Sequence, residues 1–233
     1  MNNYTKRSWA EVDLDALKNN IRNIKEYVGE KTKVLVIVKA DAYGHGAVQS
    51  AKTLASNGAD CLGVAFIDEA EELRSAGIDV PILILGYTSK QDVKRVVAAD
   101  ITPTIFSYDL AKEFSDIAAK NGKIVKIHIK IDSGMNRVGF ECNEKSVKEI
   151  VRISNLPGIE IEGIFTHFSS ADGQNREYTD MQAEKFMWIV KKMEQQGVKI
   201  PVKHACNSAA IVQYPEYHFD MVRSGIITYG LPP

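Results

Sequence analysis

Eight short apolar runs alternating with amphipathic helical stretches predict an α/β chain folded as a (β/α)8 barrel of the TIM type. The strand candidates are 33–40, 61–67, 81–87, 101–107, 125–132, 159–168, 202–208 and 221–229, rich in Val and Ile. No Pro/Gly/Ser-rich linker or low-complexity tract divides the 233 residues, so one barrel domain is expected over 1–233. An open, doubly wound sheet is the alternative arrangement of the same β-α units.

Helices are predicted at 11–28, 46–58, 68–76, 89–99, 108–121, 143–155 and 174–197, with Asp13 a candidate cap for the first. No helical stretch follows the eighth strand candidate. The helix at 11–28 precedes the first strand and is expected to fill that gap in the ring.

Composition narrows the function. Lys and Arg number 29 against 30 Asp and Glu, a formal charge of −1, and no segment gathers the basic residues. A nucleic-acid or membrane-surface partner is therefore not expected. Cys61, Cys142 and Cys206 are scattered, without CxxC or Cys/His spacing, which suggests reduced thiols in a cytoplasmic protein and no metal centre. The opening residues, MNNYTKRSWAEVDL, lack an apolar signal core, and no run approaches membrane-spanning length.

In parallel β-α folds the functional groups collect where the strands end. The first strand candidate runs into VIVKADAYGHG, Val36–Gly46. Lys39 there is either a solvated strand terminus or an amine placed to add to a carbonyl. Tyr43 follows in a Gly-containing turn, and GHG around His45 is better explained by backbone geometry than by phosphate binding. In VKIHIKID, His128, Lys130 and Asp132 share one face, and Ile127, Ile129 and Ile131 the other. The isoleucines should face the helices and leave an ionisable row in the lumen, where hydrogen-bonded packing is the preferred reading of His128. Arg137 lies in the next loop, in SGMNRVGF, near the same rim.

The sixth strand candidate ends FTHF, bringing His167 to the rim as a packing residue or a catalytic one. The seventh supplies His204, Asn207 and Ser208, and the eighth Arg223 followed by Ser224, Gly225 and Ile226. Ser208 with the Gly225 and Ile226 amides suits a phosphate cradle, since barrels often bind phosphate after strands seven and eight. Ordinary turns use Ser and Gly as well.

In this order VKADAYGHG, KIDSGMNRVGF, FTHF, HACNSAA and MVRSGI resemble the alanine racemase family, over essentially the whole length from SWAEVDLDALKNNI onward. The resemblance implies a barrel of the pyridoxal 5'-phosphate (PLP)-binding type, followed by a β-rich second domain, in a head-to-tail homodimer that interconverts L- and D-alanine. It implies that Lys39 carries PLP as a Schiff base and then serves as one of two bases. Tyr43, Ser208, Gly225 and Ile226 would hold the phosphate, and Arg223, buttressed by His204, would contact the pyridine nitrogen. Arg137 would reach the phenolic oxygen and the substrate carboxylate, His167 would lie beside the ring, and Asn207 would belong to the same wall. Lys130 is expected to carry a carbamate, because two cations at one mouth repel unless one changes charge. An arginine at the ring nitrogen cannot accept its proton, which suits racemisation and discourages transamination.

The chain stops at YGLPP, where the family's second domain, with the opposite tyrosine base, is expected to begin. The strand-like segment 1–10 would normally join that domain. PLP binding with poor racemisation is thus expected of these residues alone. Other readings are a serine-preferring racemase, a non-catalytic PLP-homeostasis barrel, and a Schiff-base aldolase using Lys39 without PLP.

Overall fold

The structure, a computed structural model, describes residues 9–233. Nine strands are joined in one sheet: β1 (Lys33–Ile37), β2 (Cys61–Val64), β3 (Ile82–Ile84), β4 (Thr102–Ile105), β5 (Val125–Asp132), β6 (Phe140–Glu141), β7 (Ile159–Phe165), β8 (Val202–His204) and β9 (Met221–Ser224). All pair in parallel, in the order β8-β7-β5-β4-β3-β2-β1-β9, with β6 a short addition to the end of β5. Two backbone bonds bring the ends of that order together, Asp220 N to Lys203 O at 3.1 Å and Arg223 N to Cys206 O at 3.0 Å. The eight long-path strands therefore form a nearly closed barrel rather than an open sheet.

The helices that separate them are α1 (Leu14–Val28), α3 (Ala47–Ala55), α4 (Ile67–Ser75), α5 (Val93–Ala98), α6 (Tyr108–Lys120), α7 (Glu144–Ser154), α8 (Glu177–Gln195) and α9 (Ser208–Gln213); α2 (Lys39–Gly44) is a turn discussed below. Asp13 caps α1 by accepting the Ala16 amide at 3.0 Å. Between the last strand and the first, α1 closes the ring, with Asn20 Nδ2 donating to Thr228 O and Tyr27 OH to Val212 O.

Packing follows the alternation. Val34, Val36, Ile127, Ile129 and Ile131 are buried in the cluster between strands and helices. Leu35, Ile37, Leu83, Val202 and Met221 form a second, smaller cluster in the lumen. Burying some sixty apolar side chains supplies the main driving force for folding.

Several boundaries differ from expectation. The first strand ends at Ile37, so Lys39 lies beyond the ladder rather than in it. Helix α5 starts at Val93 rather than 89, because Ser89 and Asp92 close a turn first, Ser89 Oγ donating to Asp92 Oδ2 at 2.7 Å. The run 202–208 is not all strand, since Ser208 already opens α9. Of the strand-like N-terminal segment 1–10, residues 1–8 lie outside the described residues, and residues 9 and 10 form no strand. No helix among the described residues is long and apolar enough to cross a membrane.

Candidate active site

A cavity of about 610 Å³ opens where the strands end, and every candidate side chain except His204 lines it. Lys39 enters from an unusual turn. Ala40, Asp41, Ala42 and Tyr43 all have φ of 51–53°, a full left-handed turn built without glycine. Each such residue costs roughly 1–2 kcal/mol, so the surroundings must impose the conformation. They do so with two carboxylates. Asp41 Oδ1 accepts the Ala47 amide at 2.6 Å, while Glu69 accepts Ala40 N at 2.7 Å with one oxygen and Ala65 N at 2.6 Å with the other. The turn delivers Tyr43 against Tyr229, edge to face at 5.4 Å, and Tyr229 OH donates to Ile37 O at 2.7 Å.

A small polar concavity opens into the same cavity as the lysine. Gly225 N donates to Ser208 Oγ at 3.0 Å. A Cβ on Gly225 would stand 3.4 Å from Tyr43 OH and 3.5 Å from Ser208 Oγ, so a side chain there would fill the space these groups surround. Asn207 caps α9 through Ala210 N and donates to Phe168 O at 3.1 Å, which joins the segment after β8 to the loop after β7.

The floor is cationic. Arg223 is 4% exposed; its Nη2 donates to Thr166 O at 2.7 Å and Ala205 O at 2.8 Å, and its Nη1 to His204 Nδ1 at 3.0 Å. Burial lowers the guanidinium pKa to about 10, yet it stays charged at neutral pH. Lys130, 2% exposed, donates to Ile131 O at 2.9 Å and stands over the Phe165 ring at 5.2 Å. Burial first, then Arg223 and Arg137, push its amine down to about 7. Burial, reinforced by Arg223, Lys130, Arg137 and Lys39, drives His167 to about 3, so its ring is neutral.

Arg137 sits on an exposed loop shaped by Asp132, whose Oδ1 accepts both Gly134 N and Asn136 N at 3.0 Å, and by Tyr178 OH on Gly134 O at 2.8 Å. Lysine, three further cations and a polar concavity thus share one cavity, which suits a ligand carrying more than one anionic group.

The chain matches the family described as alanine racemase, N-terminal domain, over residues 12–233. It belongs to that family. The alanine racemase of Methanococcus maripaludis is 50% identical over 97% of this chain and 60% of its own length, and that of Clostridium tetani is 46% identical over 97% and 58%. Among solved structures, alanine racemase of Clostridium difficile 630 in complex with cycloserine superposes with a TM-score of 0.97 at 45% identity, covering 99% of this chain and 63% of that one. The Bacillus anthracis enzyme with bound L-Ala-P gives 0.93 at 37% identity, covering 99% and 59%. The chain therefore spans 58–63% of the length of these relatives.

The alanine racemase barrel here gathers the residues that the sequence singled out: Lys39, Tyr43, Lys130, Arg137, His167, Asn207, Ser208, Arg223, Gly225 and Ile226 at the cavity, and His204 directly beneath Arg223. His128 is hydrogen-bonded packing in the lumen, as the strand alternation suggested. Sequence reading missed Glu69 and Tyr229, which shape the lysine turn. A carboxylate in the first turn of the helix predicted at 68–76 was the available sign of Glu69.

Proposed function

We propose that this chain is the PLP-binding barrel of a cytoplasmic alanine racemase that interconverts L- and D-alanine for cell-wall peptide supply. The observation that carries the reading is the polar concavity of Tyr43, Ser208 and Gly225 facing the same cavity as Lys39, in a chain of this family. Alanine racemases are PLP-dependent, and the residues present fit that group. Tyr43, Ser208, Gly225 and Ile226 would hold its phosphate; Arg223 supported by His204 would meet its ring nitrogen; His167 and Asn207 would flank the ring.

When bound, the cofactor supplies an electrophilic carbon and a conjugated ring that makes the amino acid's α-proton removable. The chain's own residues do the rest. Lys39 provides the amine for covalent attachment and moves the α-proton on one face. Arg137, on an exposed loop at the cavity, is placed to pair with the substrate carboxylate. Arg223, a donor only, withholds a carboxylate from the ring nitrogen and so limits side reactions. The base for the opposite face belongs, in this reading, to the length that the relatives have beyond the match, and the working enzyme is a homodimer.

The test is a visible spectrum after PLP addition, then borohydride reduction and peptide mapping. The label is expected on the peptide holding Lys39; label on Lys33 or Lys130 would overturn the assignment. Turnover in both directions by this chain should fall below that of a chain extended to the relatives' full length by about 10²–10⁴-fold, the usual cost of losing a positioned acid or base. Equal turnover would put the second base within residues 1–233.

A further inference from the structure

No carboxylate is among the hydrogen-bond partners of Arg223, yet a carboxylate stands at the far end of a chain that starts on it. A guanidinium can only donate, so His204 Nδ1 accepts from Arg223 at 3.0 Å. His204 Nε2–H then donates to His128 Nδ1 at 2.9 Å. His128 Nε2–H in turn donates to Glu162 Oε2 at 3.3 Å, and the other Glu162 oxygen accepts from Lys126 at 3.0 Å. A carboxylate can only accept. Both ends therefore dictate the same direction, and each imidazole turns its lone pair toward Arg223.

Glu162 and Lys126 border a second cavity, of about 240 Å³, where the strands begin. The chain thus runs through the lumen from one end of the barrel to the other.

Three independent features seat it. The β5–β7 register slips after Ile127, which pairs with Ile161 while His128 pairs with Gly163, so Glu162 is the extra residue of a bulge in β7 next to His128. Gly163 lies opposite, where a Cβ would come within 2.6 Å of His128 Cε1 and 2.7 Å of its Nδ1. His204 stacks on Phe165 at 4.7 Å and 11°. Burial disfavours the charged form of both imidazoles, lowering His128 and setting His204 well below its ordinary value.

We infer that His128 and Glu162 are positioning residues for Arg223. Thr166 O and Ala205 O hold one edge of the guanidinium, and the imidazole chain holds the other. Its Nε, which has no partner among the described residues and is not fully buried, is thereby left for a ligand atom in the cavity. The inference rests on the proposed role of Arg223 against the cofactor ring.

Ring-nitrogen NMR on the ligand-free chain tests the geometry, with only five histidines to assign. His128 and His204 are expected to be neutral with the proton on Nε2; a proton on Nδ1 of either overturns the inference. Glu162→Gln keeps an acceptor and should keep both tautomers. Glu162→Lys offers only donors, so the His204–Arg223 bond should break and PLP affinity should fall about tenfold or more, the usual scale for a lost charged hydrogen bond. Gly163→Ala should do the same with Glu162 intact. Parent-like affinity in a folded Glu162→Lys protein overturns the inference, and that variant decides alone if Gly163→Ala does not fold, since the Glu162 side chain is 27% exposed. Failure of the parent chain to bind PLP would remove the functional reading instead and leave the tautomer result standing.

Discussion

Glu69 accepts the Ala40 amide at 2.7 Å, one residue after Lys39, while its other oxygen holds Ala65 at 2.6 Å. One carboxylate on α4 therefore ties the loop after β1 to the loop after β2, and it does so where the left-handed turn begins. Glu69→Gln keeps one acceptor oxygen and turns an NH₂ toward the other amide. It should cost about 1–3 kcal/mol, since one donor loses a charged partner. Urea denaturation measures the loss, and faster amide exchange at Ala40 and Ala65 locates it. Unchanged exchange at both amides would mean the turn does not depend on this clamp.

The turn itself can be relieved. Ala40 is exposed and has φ 51°, ψ 54°, a region that glycine enters without the Cβ clash. Ala40→Gly should be stabilising by up to about 1 kcal/mol, less the extra entropy the unfolded chain gains. A loss of stability on denaturation would show that the neighbours, and not the Cβ, set the strain.

The alternation of Ile127, Ile129 and Ile131 with His128 and Lys130 told the two faces of β5 apart, because a half-polar strand has a period of two. Lys39, Arg223 and the Ser208–Gly225 pair were legible because they stand where parallel strands end. The left-handed turn was not. Ala-Asp-Ala-Tyr carries no local sign of positive φ, and only its contacts with Glu69 and Ala47 impose it. Gly163 was equally silent, since its lack of a side chain matters only once His128 lies against it. The six residues of α9 were hidden because a helix so short has no periodicity to read.

Lys130 should take up carbon dioxide. With its pKa at about 7, a large share of the amine is neutral at neutral pH and can attack CO₂, forming an N–C bond and releasing one proton. The product carries a negative charge where Arg137 and Arg223 now repel a positive one. Carbon-13-labelled bicarbonate should give a protein-bound carbamate resonance that Lys130→Arg lacks. Its absence at saturating bicarbonate would contradict the prediction.

Acid should destabilise the barrel well above the ordinary carboxylate range. His167 is held at about 3, and His128 and His204 are also lowered, so the unfolded chain takes up protons at these sites first. Stability is then fully present above the ordinary histidine value of 6.5 and falls with pH toward about 3. His167→Gln cannot titrate there and should flatten the decline. Urea midpoints at about pH 7 and about pH 5 measure it, and equal slopes in parent and variant would sink the argument.

Arg223→Glu is expected to slow racemisation and raise side transamination in the full-length enzyme, because a carboxylate would hold the ring nitrogen protonated. The same change also sets an acceptor against Thr166 O, Ala205 O and His204 Nδ1, all of which now accept from Arg223. Breaking such a buried set costs about 3–5 kcal/mol, so the single variant mixes electronics with instability. The imidazole chain offers a way to separate them. With Glu at 223, His204 must present Nδ1–H, His128 must present Nδ1–H to His204 Nε2, and position 162 must donate to His128 Nε2. Glu162 cannot donate, whereas Gln can. Glu162→Gln should be nearly neutral alone, yet in the Arg223→Glu background it should recover about 1–3 kcal/mol, the range of coupling between residues of one network. The clashes with Thr166 O and Ala205 O appear in both Arg223→Glu proteins and cancel in the double-mutant cycle. Urea denaturation of the four proteins gives the coupling directly. Additive effects would mean that residues 162 and 223 do not communicate through His128 and His204.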